Sequence, residues 1–160
     1  MPLTNPTTHP YRLTRLRAKS ENSTTYDATD VDDNRVIVKL PRTALHKTTI
    51  KHETEILRTI AHLSGVTHVI DASEDGSWLT VVPIDGIAIH IWANNKPIHI
   101  IIDAFIKLLV TVESLHALKF THGDIKPNNV LVSHDNTPSL IDFGSATSPY
   151  AQPTGADFTP

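Results

Sequence analysis

Residues 121–132 read Thr121-His122-Gly123-Asp124-Ile125-Lys126-Pro127-Asn128-Asn129-Val130-Leu131-Val132, and residues 140–145 read Leu140-Ile141-Asp142-Phe143-Gly144-Ser145. In both, a polar loop carrying a carboxylate lies beside a short apolar run with strand character. Asp124 stands five residues before Asn129, and Asn129 thirteen before Asp142. Upstream, Ile101, Phe105, Leu108, Val112 and Leu115 recur at alternating four- and three-residue steps, which predicts a long helix with one apolar seam. Downstream of Asn129, strands are expected over 130–133 and 139–141 around the turn His134-Asp135-Asn136, and the chain then runs to Pro160 without periodicity. Towards the N-terminus, Gly86 is a plausible hinge between halves. Before it, strands over 67–71 and 78–84 flank the turn Glu74-Asp75-Gly76, and a helix over 51–63 carries Ile56, Leu57 and Ile60. Arg35–Leu40 reads as a buried β-branched strand ended by Pro41, and Tyr11–Lys39 is strand-like with a polar turn at Asp30, Asp32, Asp33 and Asn34. The first ten residues hold three prolines and read as a loose tail.

The pairing of His-Gly-Asp-Ile-Lys-Pro-Asn-Asn with Asp-Phe-Gly resembles the catalytic signature of the eukaryotic protein-kinase family, in its Ser/Thr-type form. The resemblance implies roles that the chemistry explains: phosphoryl transfer is mostly positioning and charge neutralisation. Asp142 and Asn129 would hold Mg²⁺ against the phosphates, Asp124 would accept the substrate hydroxyl's proton, and Lys126 would steady the transferring γ-phosphate. His122 would support the loop. Lys39, in Val36-Ile37-Val38-Lys39, fits the strand lysine that meets the α- and β-phosphates, with Glu53 of the following helix, rather than Glu55, as its partner. Trp78–Gly86 resembles the connector between lobes, with Val81 as gatekeeper and Val82 and Ile84 offering backbone groups to adenine; Pro83, which lacks an N–H, falls between them. Ile37 and Leu131 would face the base.

Three departures from the family pattern stand out. The glycine-rich loop G-x-G-x-x-G falls on Ala18, Ser20 and Ser23, whose side chains keep backbone N–H groups from phosphate as close as glycine allows. Thr25 and Ile37 replace a valine and an alanine, so Ile37 crowds the adenine face unless the small Val81 leaves room. Gly123 replaces the arginine of H-R-D, which implies activity that does not wait for an activation-segment phosphate; the H-G-D triplet also resembles small-molecule phosphotransferases of the aminoglycoside and choline type, whereas Lys126-Pro127 and Asp142-Phe143-Gly144 favour the protein-kinase side. Thr154–Pro160 resembles the end of the activation segment, and the chain stops before the A-P-E element, which reads as a truncated kinase or a fragment of one.

Composition narrows the alternatives. The 160 residues carry 14 Lys plus Arg against 17 Asp plus Glu, a net charge of −3, so nothing draws the chain to nucleic acid or to an anionic membrane. With no cysteine, disulfides, thiolate catalysis and Cys-based zinc sites are excluded. The apolar stretches are interrupted by His90, His99, Asp103 and Lys107, too often for a membrane span, and the start lacks a signal-peptide pattern. The ten histidines never fall in an H-x-x-x-H pair, and Trp78 and Trp92 read as packing residues.

The resulting expectation is an α+β, protein-kinase-like bilobal fold: a tail over 1–10, a small lobe and connector over 11–84 with five antiparallel strands and one helix, and an incomplete helical large lobe over 85–160. Its function would be ATP- and Mg²⁺-dependent transfer to Ser or Thr of a protein substrate, in a cytoplasmic setting, with no nucleic-acid or membrane partner and a partner covering the incomplete large lobe. The alternatives are a non-catalytic pseudokinase acting as a binding or regulatory module, and a kinase-like small-molecule phosphotransferase.

Overall fold

The computed structural model describes residues 9–148. Most of the expected tail and the stretch 154–160 lie outside the described residues. Strands β1 (Arg12–Lys19), β2 (Ser23–Thr29), β3 (Arg35–Pro41), β4 (Val69–Ala72) and β5 (Leu79–Val81) form one antiparallel sheet in the order β1-β2-β3-β5-β4. The two-residue period of β3 divides its side chains cleanly. Val36, Val38 and Leu40 pack with Ala28 and Trp78 on the outer face, under Tyr11, Leu13 and Tyr26. Ile37 and Lys39 therefore point to the opposite face, into a cleft. The turn before β3 is closed by Asp30, whose carboxylate accepts the N–H groups of Asp32 and Asn34 at 2.9 Å each.

Helix α1 (Lys47–Thr59) starts four residues before the expected position and stops four before the expected end. Ile50, fully buried, is already part of its core face, and the backbone turns at Ile60 before Gly65 at φ +75°. Apolar spacing marks the buried face of a helix and not its ends. The expected strands over 67–71, 78–84 and 139–141 are likewise trimmed or shifted to β4, β5 and Pro138–Leu140.

The second sheet holds β6 (Gly86–Ala88), β7 (Val130–Ser133) and β8 (Pro138–Leu140) in the order β6-β7-β8, with α2 (Ile89–Trp92) and α3 (Ile98–Ala117) between β6 and β7 in the chain. Gly86, expected as a hinge, is instead the first residue of β6: a Cβ there would come within 2.8 Å of the Val132 carbonyl. The connector between sheets is Val82–Asp85.

The seam of α3 is also corrected. Its buried line is Ala104, Leu108, Thr111 and Leu115, with Ile101 and Val112 flanking it, while Phe105 is 47% exposed. The small Ala104 and Thr111 let the helix approach closely; a Cβ on Gly65 would lie 2.3 Å from Thr111 Oγ1. A single core drawn from α1, β5, α2, α3, β7 and β8 joins the two sheets. Among the described residues no helix is long and apolar enough to cross a membrane.

Candidate functional site

A cleft of about 600 Å³ lies between the sheets. Its inner end is built by three residues from distant parts of the chain. Lys39 on β3 places Nζ 2.6 Å from Glu53 Oε2 on α1 and 2.6 Å from Asp142 Oδ1, just beyond β8. The second oxygen of Glu53 accepts the Phe143 N–H at 3.1 Å, so one buried carboxylate fixes both the lysine and the backbone after Asp142. Glu55 is exposed. Burial alone would push the Lys39 ammonium's pKa down, but the two carboxylates outweigh it and hold it above the ordinary lysine value. For Asp142 burial pushes upward and Lys39 outweighs it, so this carboxyl stays below its usual range. Lys39 and Asp142 are therefore charged together at neutral pH. Asp142 sits at φ +65°, a strained conformation for a residue with a Cβ.

The second element is the loop before β7. Asn129, 5% exposed, donates from Nδ2 to the Asp124 carbonyl at 2.9 Å and to Asp124 Oδ2 at 3.0 Å. Lys126 Nζ reaches the same carboxylate oxygen at 2.6 Å, which raises the lysine's pKa. Beneath the loop His122 is buried against Phe143, with Nε2 donating to the Ile141 carbonyl at 3.0 Å and Nδ1 accepting the Asp124 N–H at 3.3 Å. Gly123 adopts φ +76°, and a Cβ on it would lie 2.2 Å from the Ser145 carbonyl. The chain after Asp142 thus runs in backbone contact with the loop, and Thr121 and Thr147 close the contact with paired N–H···O bonds of 3.1 and 2.9 Å.

Burial holds the His122 pKa below its ordinary 6.5, outweighing the upward pull of its bond to Ile141 and of the nearby carboxylates Asp142 and Asp124. Below that pH the unfolded chain binds more protons than the folded one, so stability falls as pH drops through 6.5 and levels off below the folded-state pKa. The slope from one proton is at most about 1.4 kcal/mol per pH unit. Urea unfolding at pH 7.5 and 5.5 should show this loss, and His122→Asn, which keeps a donor for Ile141, should lose less. Equal losses in both would remove His122 from the account.

The remaining expected residues also line the cleft. Ile37 and Leu131 do so, with Val81 opposite Ile37 in the sheet. Ala18, Ser20, Ser23, Val82, Ile84, Lys126, Asn129 and Asp142 line it too, whereas Asp124 reaches it through its bonds to Lys126 and Asn129. One expectation is narrowed. The Val82 N–H is taken by the His68 carbonyl at 2.9 Å, leaving Val82 only its carbonyl, which also accepts the Thr67 hydroxyl at 3.4 Å. Sequence reasoning missed Arg17, Asn128, Ile87, Ala88 and Ile91, also at the cleft. Ile87 and Ala88 belong to β6, whose three residues carry no periodic signal, and Ile91 to the short α2 that follows it.

The loop without glycines is closed on itself. Ser20 N–H donates to the Ser23 carbonyl at 2.9 Å, Ser20 Oγ accepts the Ser23 N–H at 3.1 Å, and the two hydroxyls lie 3.0 Å apart. The Ser20 hydroxyl thus consumes the Ser23 N–H that glycine at position 20 would leave for an anion. Replacing both serines by glycine should release it and tighten Mg²⁺-ATP binding about tenfold, the scale of one charge-assisted bond. Calorimetry decides it: weaker binding would show that the serine pair preorganises the loop.

An amide and a carboxylate able to offer oxygens to a metal, a lysine clamped between two acids and an aspartate beside a second lysine are the groups that phosphoryl transfer calls for. The family model "Protein kinase domain" matches residues 21–158, and the chain belongs to that family. It is 28% identical over 149 residues to a probable serine/threonine-protein kinase of Dictyostelium discoideum, covering 89% of this chain and 31% of the relative. It is 41% identical over 61 residues to a negative regulator of sexual conjugation and meiosis of Schizosaccharomyces pombe, covering 38% of this chain and 12% of that protein. It is also 46% identical over 44 residues to the serine/threonine-protein kinase PknA of a Nostoc species, covering 27% and 8%. The chain thus spans a third or less of the length of these relatives.

Proposed function

We propose that the cleft transfers the γ-phosphate of ATP to serine or threonine hydroxyls of a protein substrate. The observation that carries this reading is Lys39 Nζ at 2.6 Å from both Glu53 and Asp142, a cation held at the end of a cleft beside an acidic oxygen. The donor set fits Mg²⁺, which takes hard oxygen ligands. Asp142 supplies carboxylate oxygens, and Asn129, whose Nδ2 is spent on Asp124, keeps its amide oxygen without a hydrogen bond among the described residues. When bound, Mg²⁺ neutralises charge on the phosphates.

The chain's own residues supply positioning. Lys39 meets phosphate oxygens while Glu53 fixes its direction. Asp124, held by Lys126 and Asn129, accepts the proton of the incoming hydroxyl, and Lys126 stands beside it to meet developing negative charge. Ile37 and Leu131 present apolar surface to the base, and the connector offers the Val82 carbonyl. A cytoplasmic setting belongs to the same reading.

Thermal unfolding with ATP, with Mg²⁺ and with both tests the reading. Ligand at about a hundred times its Kd stabilises by about 2.7 kcal/mol, a shift of several degrees, and the largest shift is expected with both present. No shift under any condition would overturn it. A screen on casein-like proteins against small alcohols tests the substrate class: label on small alcohols alone would move the assignment to a small-molecule phosphotransferase.

A further inference from the structure

The turn 20–22 between β1 and β2 is held from two sides. On the cleft side Ser20 and Ser23 close on each other through their hydroxyls and backbone. On the other side the turn is tied to the end of β3, the strand that carries Lys39. The Arg42 N–H donates to the Asn22 carbonyl at 3.0 Å. Arg42 Nη1 donates to the carbonyls of Ser20 at 3.3 Å and Glu21 at 3.5 Å. Three consecutive carbonyls thus end on one residue. Arg42 has no carboxylate partner among the described residues, so no ion pair draws its guanidinium away from the turn. Arg42 itself is exposed and does not line the cleft.

The geometry of the peptide bond says what this anchor does. A peptide is planar and trans, so the N–H of one residue points opposite to the carbonyl of the residue before it. Bonds to the Ser20 and Glu21 carbonyls therefore turn the N–H groups of Glu21 and Asn22 away from Arg42. Neither N–H has a partner among the described residues. Glycines would let such peptides reorient around a ligand, whereas every residue of this turn carries a side chain. Its orientation is set beforehand, and set from the strand whose Lys39 is clamped by Glu53 and Asp142.

We propose that Arg42 is a positioning residue of the cleft: without touching a ligand, it fixes the peptide planes of 20–22 relative to Lys39. The proposal rests on the nucleotide reading of the cleft. Amide exchange without ligand, and calorimetry with adenosine and with Mg²⁺-ATP, test it on the full chain and on its Arg42→Ala and Arg42→Lys variants. In Arg42→Ala the N–H groups of Ser20 and Ser23 should exchange about tenfold faster, while that of Val38 in β3 keeps its rate. Mg²⁺-ATP should bind about fivefold to thirtyfold more weakly, the effect of losing the order of one backbone residue. Adenosine, which has no phosphate, should bind as before. Arg42→Lys, which keeps the charge on a more hydrated and flexible stem, should fall between parent and Arg42→Ala. Unchanged exchange at Ser20 and Ser23 in Arg42→Ala would overturn the proposal. So would tighter ATP binding, or equal weakening of both ligands, the mark of a merely structural role. A parent protein that binds neither ligand would overturn the nucleotide reading itself, and that outcome is visible before any variant is compared.

Discussion

Asp142→Asn is expected to abolish ATP-dependent phosphate incorporation and to leave the fold intact. The substitution removes the charge that Lys39 faces at 2.6 Å and weakens the oxygen donor offered to a metal. Loss of one preorganised electrostatic group in an active site costs about two to three orders of magnitude in rate, and loss of a metal ligand should cost at least that. The fold should survive because asparagine tolerates the φ +65° at this position as well as aspartate does, and because the side chain is 38% exposed. Lys39 keeps Glu53 as a partner. The measurement is label transfer by the purified variant, with its circular dichroism and urea midpoint alongside. Incorporation at the parent rate would remove Asp142 from the proposed machinery.

Gly123→Arg, which supplies the residue most protein kinases of the H-R-D type carry there, should cripple this chain. A side chain at 123 meets two obstacles: a left-handed backbone at φ +76°, and the Ser145 carbonyl 2.2 Å from where Cβ must go. The first costs about 1–3 kcal/mol and the second, as overpacking, about the same, so destabilisation of about 2–6 kcal/mol is expected. That is a large share of the 5–15 kcal/mol typical of a folded domain. Gly123→Ala should lose nearly as much, since the clash begins at Cβ. If the structure yields instead, the segment after Asp142 must lift and the Thr121–Thr147 pairing must open, with loss of activity rather than stability. Urea unfolding and label transfer on both variants separate these results. A Gly123→Arg protein as stable and as active as its parent would contradict the backbone contact described here. Gly123 thus has a steric reason in this structure beside the regulatory one its sequence suggests.

What the sequence disclosed and what it hid follow from how local each feature is. Lys39, Glu53, Asp124, Asn129 and Asp142 could be named because they fall on the signature that the sequence resembles, and the structure brings Lys39, Glu53, Asn129 and Asp142 to one cleft with Asp124 bonded to Asn129 beside it. The choice of Glu53 over Glu55 was legible because Ile56 and Leu57 stand where the family carries two apolar residues, and all three are buried in α1. Strand β3 was legible from its β-branched run, and the five-stranded sheet from the family that the sequence resembles. The seam of α3 was not. Eleven of the fifteen positions of Ile98–Val112 are apolar, so periodicity could not choose the buried line, and the close approach of Gly65 to Thr111 chose it. Nor could a sequence show that β1 bulges at Arg17, because a bulge is a property of pairing between strands. The serine pair at Ser20 and Ser23 could be seen as a replacement for glycines, but not as a turn closed by its own hydroxyls.

The most direct test of the account incubates the chain with γ-labelled ATP, Mg²⁺ and a mixed protein substrate, followed by phosphoamino-acid analysis. The account predicts label on serine and threonine that requires Mg²⁺ and disappears with Lys39→Met and with Asp142→Asn. Label that persists at the parent level in both variants, or none from the parent under conditions where it is folded, would contradict it.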